Sequence, residues 1–160
     1  MLALEIDQNF ENKMELEINV IDAFTDSVFG GNPAAVIITE SWLSDTKMQS
    51  IASENNLSET AFLVLYKPNA YKIRWFSPIT EIAFCGHATL ASAFVLFNKF
   101  AELKTITFLA EAVGEFSVIK NYSGKIQMDF PNTKPEKVES IPQSLTLGLS
   151  IEPFEVYRNS

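Results

Sequence analysis

Histidine and cysteine are almost absent: one of each occurs in 160 residues. A single cysteine excludes an internal disulfide framework and fits a reducing, cytoplasmic compartment. One histidine, one cysteine and scattered carboxylates show no metal-ligand spacing, so no metal is expected. Phosphate-loop and dinucleotide fingerprints are missing as well, so no nucleotide cofactor is expected. Basic residues are few, with 12 Lys and Arg against 20 Asp and Glu and a formal net charge of −8. That balance argues against a nucleic-acid partner, whose phosphates need clustered cations. Long apolar runs are lacking. The longest, Ala88 to Phe97, contains Thr89 and Ser92 and falls well short of the roughly 20 residues of a membrane span. The N-terminus has neither the basic region nor the apolar core of a signal peptide. Residues 1–13 carry no usable period and are expected to form a loosely ordered extension.

What the chain does have is apolar mass: 47% of its residues are hydrophobic and thirteen are phenylalanine, which is enough for one real core. Alternating or branched runs predict strands at Ile18 to Phe24, Ala34 to Ile38, Ala61 to Tyr66 and Tyr71 to Phe76. Three more are predicted at Thr105 to Ala110, Gly114 to Asn121 and Lys125 to Phe130. Phe29-Gly30-Gly31-Asn32-Pro33 reads as a turn whose glycines permit positive φ. Ser44 is a candidate N-cap for a helix ending near Asn55-Asn56. A second helix, His87 to Ala101, is apolar around most of its circumference, the signature of a buried helix. The economical arrangement is an α+β lobe, a mostly antiparallel sheet rolled around that helix. Pro131 to Gln143 holds three prolines and reads as a linker, leaving residues 144–160 as the start of another unit.

Chemistry concentrates at Phe84-Cys85-Gly86-His87-Ala88-Thr89-Leu90-Ala91, where a small polar turn meets the apolar helix. A helix N-terminus presents unpaired N–H groups and a positive dipole end, a ready anion site. Cys85 there is either an acid/base or nucleophile activated by the helix end, or a packed core thiol. His87 either orients a substrate carboxylate or is a satisfied structural residue. Gly86 serves as a backbone turn, as a point of close approach to an anion, or as both. Asn32 either bonds a ligand or its own turn. Glu59, flanked by Ser58 and Thr60 at the entry to an apolar strand, is either a solvated loop carboxylate or a proton-transfer group. The second role follows because the edge of an apolar core disfavours the charged form.

Five segments together resemble one family. Ile21-Asp22-Ala23-Phe24, Gly31-Asn32-Pro33-Ala34-Ala35-Val36, Asn56-Leu57-Ser58-Glu59-Thr60-Ala61-Phe62, Phe76-Ser77-Pro78 and Cys85-Gly86-His87-Ala88-Thr89-Leu90-Ala91 occur in the order of the PhzF-like phenazine-biosynthesis proteins. The resemblance covers about Val20 to Phe130, and Glu155-Val156-Tyr157-Arg158-Asn159 also looks like a family segment. It implies a fold similar to diaminopimelate epimerase: two lobes, each a sheet around an apolar helix, with the active site between them. It also implies an isomerase that moves a proton between carbon atoms of a cyclic carboxylate without a cofactor. Carried over, the acid/base is Glu59, and the substrate-binding set is Asn32, Ser58, Gly86, His87 and Ala88. Related racemases pair two cysteines, which makes Cys85 a possible secondary acid/base, but this chain has no second cysteine. The family's second-lobe motif has no counterpart after Pro131. The expectation is therefore one lobe, residues 14–130, of a truncated two-lobed body. Its partners would be a small-molecule carboxylate and, where two chains rebuild the cleft, a second copy. The alternatives are a catalytically inert binding or dimerisation module, and a cysteine-dependent racemase.

Overall fold

The computed structural model describes residues 15–27, 29–129 and 134–158. The extension expected at 1–13 and the start of the expected linker lie outside the described residues. The chain forms two compact units, 1–128 and 129–160.

The first unit is built on one sheet. Strands β1 (Ile18–Ala23), β2 (Asn32–Thr39), β3 (Glu59–Lys67), β4 (Ala70–Phe76), β6 (Thr105–Ala110), β7 (Gly114–Lys120) and β8 (Ile126–Met128) hydrogen-bond in the order β1-β2-β3-β4-β6-β7-β8. The short β5 (Glu81–Ile82) pairs with β4. The pairing is mostly antiparallel, with parallel contacts at β2–β3 and β4–β6. Each parallel pair is bridged by a helix, as a parallel connection requires: α1 (Asp45–Asn55) between β2 and β3, and α2 (Gly86–Lys99) between β4 and β6.

Period-2 alternation assigns the side chains to two faces. Ala34 and Val36 of β2, Ala61 and Leu63 of β3, and Tyr71, Ile73 and Trp75 of β4 pack with Ala88, Ala91, Leu96 and Phe97 of α2 in the main core. Ile37, Phe62 and Phe76 face the other way, onto Met48 and Ala52 of α1. Helix α2 sits against the sheet because its inner surface is small near the N-terminus and bulky near the C-terminus. Its two buried hydroxyls are satisfied locally: Thr89 Oγ1 donates to the Cys85 carbonyl and Ser92 Oγ to that of Ala88, both at 2.7 Å. Side chains such as Leu96, fully buried here, each contribute about 2–3 kcal/mol. Ser44 caps α1, accepting from the Lys47 N–H at 3.2 Å, and Asn56 closes it in the left-handed region at φ 49°.

One expected turn works for a different reason. Gly30 and Gly31 do not adopt positive φ; Phe24 and Phe29, which precede them, do. Gly31 is needed for space, since a Cβ there would lie 2.3 Å from the Ala23 carbonyl oxygen. The Asp22 carboxylate braces the same turn by accepting the Phe29 N–H at 3.1 Å.

In the second unit, β9 (Glu136–Lys137) pairs antiparallel with β10 (Tyr157–Arg158), and α3 (Gln143–Gly148) lies between them in sequence. The stretch read as a linker thus carries a strand. Prolines masked that signal, because β9 is two residues long and its partner lies twenty residues away.

Candidate functional site

Strand parity decides where Glu59 points. It lies two residues before Ala61, on the face that packs against α2. Parallel pairing of β2 with β3 brings their first residues to one end of the sheet, with Ala34 opposite Glu59. Asn32 and Ser58 meet there, Ser58 Oγ donating to Asn32 Oδ1 at 3.3 Å. The α2 N-terminus reaches the same end. Glu59 Oε2 lies 3.0 Å from His87 Nε2, with side-chain exposures of 18% and 11%. The two atoms are not aligned as a hydrogen bond, and both are buried without a hydrogen-bonding partner.

Cys85 is the N-cap of α2 in extended conformation, and its side chain makes no capping hydrogen bond. The first intrahelical bond runs from the Thr89 N–H to the Cys85 carbonyl at 3.1 Å. The N–H groups of Gly86, His87 and Ala88 therefore have no acceptor within the helix. Ala88 itself is fully buried, so only its backbone is available to a ligand. A Cβ at Gly86 would meet nothing within 4 Å, so the fold leaves open space beside that residue.

Of the two readings of the thiol, burial favours the packed core group. Burial pushes Cys85 up from 9.0 to about 11, and the neighbouring Glu59 carboxylate adds to the rise. The N–H groups of Ala88 and His87 pull the other way and are outweighed. Cys85 is accordingly a neutral thiol near neutral pH. Its Sγ lies 3.2 Å from His87 Nδ1. The direction of this contact follows the imidazole tautomer: with the thiol donating to Nδ1, the ring proton sits on Nε2, facing Glu59.

The structure thus brings all the candidate residues to one end of the lobe: Asn32, Ser58, Glu59, Cys85, Gly86, His87 and Ala88. Sequence spacing gave no metal-ligand pattern, yet one donor atom each from Glu59, Cys85 and His87 lie within 4.8 Å of one another. The convergence joins β3 to α2, which no linear spacing encodes. Trp75 was also not singled out. It is 1% exposed with its indole N–H unpaired, and its ring meets Phe84 edge-on at 5.4 Å, just before the Cys85 turn. The available signal was a tryptophan on the α2-facing parity of β4.

Comparison with known proteins places the chain. The phenazine biosynthesis-like protein family (PhzC/PhzF) matches residues 21–157. The chain belongs to this family. A protein of Pseudomonas aeruginosa named as an uncharacterized isomerase is 46% identical over 91% of this chain and 55% of its own length. One from Halalkalibacterium halodurans, also named as an uncharacterized isomerase, is 44% identical over 91% of this chain and 55% of its own length. The crystal structure of a PhzF-family protein from Enterococcus faecalis superposes with a TM-score of 0.78 at 43% identity, covering 90% of this chain and 54% of that one. The mixed sheet curled around α2 is the expected α+β fold, shared with these PhzF-family neighbours. The chain spans about half the length of the curated relatives it matches. Among the described residues no helix is long and apolar enough to cross a membrane.

Proposed function

We propose that this chain is the Glu59-bearing lobe of a PhzF-type isomerase that moves a proton between carbon atoms of a small carboxylate, without a cofactor. The observation that carries the proposal is the Glu59–His87 pair at the α2 N-terminus, in which the facing atoms approach to 3.0 Å without hydrogen-bond alignment. A poorly aligned pair of this kind gains less than a full hydrogen bond, so both groups can take better-aligned bonds from a substrate.

In the proposed reaction, the substrate carboxylate lies on the N–H groups of Gly86, His87 and Ala88 at the start of α2, stabilised by the helix dipole. Asn32 and Ser58 flank it. Glu59 takes a proton from a carbon next to the conjugated system and returns it at another carbon. His87, with its Nε2 proton held in place by Cys85, donates a hydrogen bond to the charge that develops. Proton and electron pair balance within the substrate, and no redox group is required. Thiolate chemistry at Cys85 is disfavoured by the buried, protonated thiol. The test is solvent deuterium incorporation into cyclohexadiene carboxylates. Glu59→Gln should abolish it with the fold intact; unchanged exchange would remove Glu59 from the mechanism.

A second proposal is a homodimer in which two copies of this lobe supply facing walls of one cleft, each bringing its α2 N-terminus. Sedimentation velocity with carboxylate titration checks this. A dimer that binds carboxylate supports the rebuilt cleft, and a monomer that binds none supports an inert module.

A further inference from the structure

We propose that Glu59, Cys85 and His87 form a binding site for a thiophilic divalent cation, with zinc as the chemical match, and that the bound ion occupies the acid/base carboxylate. The inference rests on the proposed role of Glu59 for its consequence, but not for the binding itself. The three residues each offer one ligand atom, and all three atoms fall within 4.8 Å. Thiolate, imidazole and carboxylate on one small site suit zinc among common divalent cations, and exclude magnesium and calcium, which prefer oxygen donors alone.

One of the three separations is close to what coordination needs, and the other two lie within 4.8 Å. Zinc–ligand bonds of about 2.0–2.3 Å in tetrahedral array place neighbouring donor atoms about 3.3–3.6 Å apart. Cys85 Sγ lies 3.2 Å from His87 Nδ1, near that range before any ion enters. The ion takes Sγ and Nδ1 as its first two ligands, and Glu59, which rests against the other ring nitrogen Nε2, must swing toward Nδ1 to supply the third. The fourth position stays open to water, as in three-ligand zinc sites. On binding, the Cys85 S–H proton leaves to buffer and the S–Zn bond replaces it; no electron transfer is involved.

Two counter-arguments fail on magnitude. The helix N-terminus carries about half a positive charge, which opposes a cation. Thiolate and carboxylate together bring two negative charges to the same point, so the balance favours the ion. Burial would block entry if the triad were sealed, but Glu59 and His87 keep 18% and 11% of their side-chain surfaces exposed. Turning Glu59 exchanges its 3.0 Å ion pair with His87 Nε2 for the metal–oxygen bond.

The experiment uses the tag-free chain stripped of metal, titrated with Zn2+ against a chromophoric chelator and separately with Co2+ as a spectroscopic stand-in. One ion per chain is expected, with a thiolate-to-cobalt charge-transfer band. Cys85→Ser should abolish that band. Cys85→Ser and Glu59→Gln should each weaken Zn2+ binding by about tenfold or more, since even outer-shell partners of metal ligands contribute that much. Glu54→Gln, an exposed carboxylate on α1, should leave binding unchanged. Circular dichroism of each variant establishes that it is folded. Overturning results would be no uptake by the folded chain, uptake indifferent to Cys85→Ser, or a cobalt spectrum without thiolate character. Binding is read without turnover, so the two proposals fail separately. Zinc uptake with deuterium exchange surviving in Glu59→Gln keeps the site and rejects the mechanism; the reverse pattern rejects the site alone.

Discussion

Two clusters of acid and base sit on opposite faces of the same sheet, and they are finished differently. On the α1 face, the Arg74 guanidinium donates two bonds to Glu81, at 2.6 Å each, and one to Asp45 at 2.8 Å. Its ring neighbours are Trp42 and Phe76, at 5.6 and 5.2 Å from the guanidinium carbon. These contacts hold the arginine proton more firmly than usual, with the Glu81 hydrogen bonds as the largest cause. On the α2 face, Glu59 and His87 approach to 3.0 Å and leave their facing atoms unbonded. The Arg74 cluster ties the start of α1 to β4 and β5, and every charge in it is used. The Glu59 cluster keeps bonding capacity in reserve. Completed networks hold a fold together, whereas incomplete buried ones await a ligand.

The sharpest way to break that contrast is Glu59→Gln in the deuterium-exchange assay. Loss of a general acid/base is worth about 10²–10⁴-fold in rate. Because Glu59 makes no hydrogen bond through Oε2, thermal stability should change little. A rate loss accompanied by marked destabilisation would make Glu59 a structural residue like Glu81, and the comparison would collapse.

Cys85 tests the same cluster through pH. Its thiol is raised from 9.0 to about 11 in the folded chain by burial. Below the unfolded value both states are protonated, and the stabilisation is fully present. As pH climbs from the unfolded toward the folded value, the unfolded state loses its proton first and stability falls. The loss should reach on the order of 3 kcal/mol across that window. Urea unfolding from about pH 8 to about pH 11, compared between wild type and Cys85→Ala, isolates this contribution from other groups that titrate there. A parallel decline in both proteins would mean that the thiol is not the titrating group.

Much of this was legible in the sequence, and the residues show why. Apolar periodicity exposed α2 as a buried helix, and the alternation of Ala61, Leu63 and their neighbours marked β3. The five family segments lie in the first unit because they build its turns and its site. What stayed hidden was non-local. The parallel pairs β2–β3 and β4–β6 leave no local trace, so the meeting of Glu59 with His87 across 28 positions could be named only by resemblance. The choice between the two readings of Cys85 stayed open because a helix terminus is visible in sequence while the depth of the surrounding core is not. Gly31 was identified as necessary for the wrong reason, since the Ala23 carbonyl that crowds it belongs to the preceding strand. The Arg74 cluster escaped notice because Asp45, Arg74 and Glu81 come from three separate elements.

Arg74 offers the smallest effect and the other half of the contrast. Its side chain is 25% exposed, while Asp45 and Glu81 are 79% and 42% exposed. Solvent can therefore reclaim both carboxylates when the arginine is removed, which limits the cost. Arg74→Ala should destabilise the lobe by about 1–2 kcal/mol, combining lost charge-assisted bonds with lost packing on Trp42 and Phe76. Arg74→Lys keeps the charge but cannot fork onto both oxygens of Glu81, so it should recover only part of that loss. Deuterium exchange per folded molecule should be unaffected in either variant, because Arg74 shares the face of α1 and not that of Glu59. Stability by urea unfolding and exchange at matched folded fraction read the two quantities separately. An exchange defect in Arg74→Lys at full folding would show that the two faces are coupled through β4, and that the division between a structural and a chemical cluster is drawn in the wrong place.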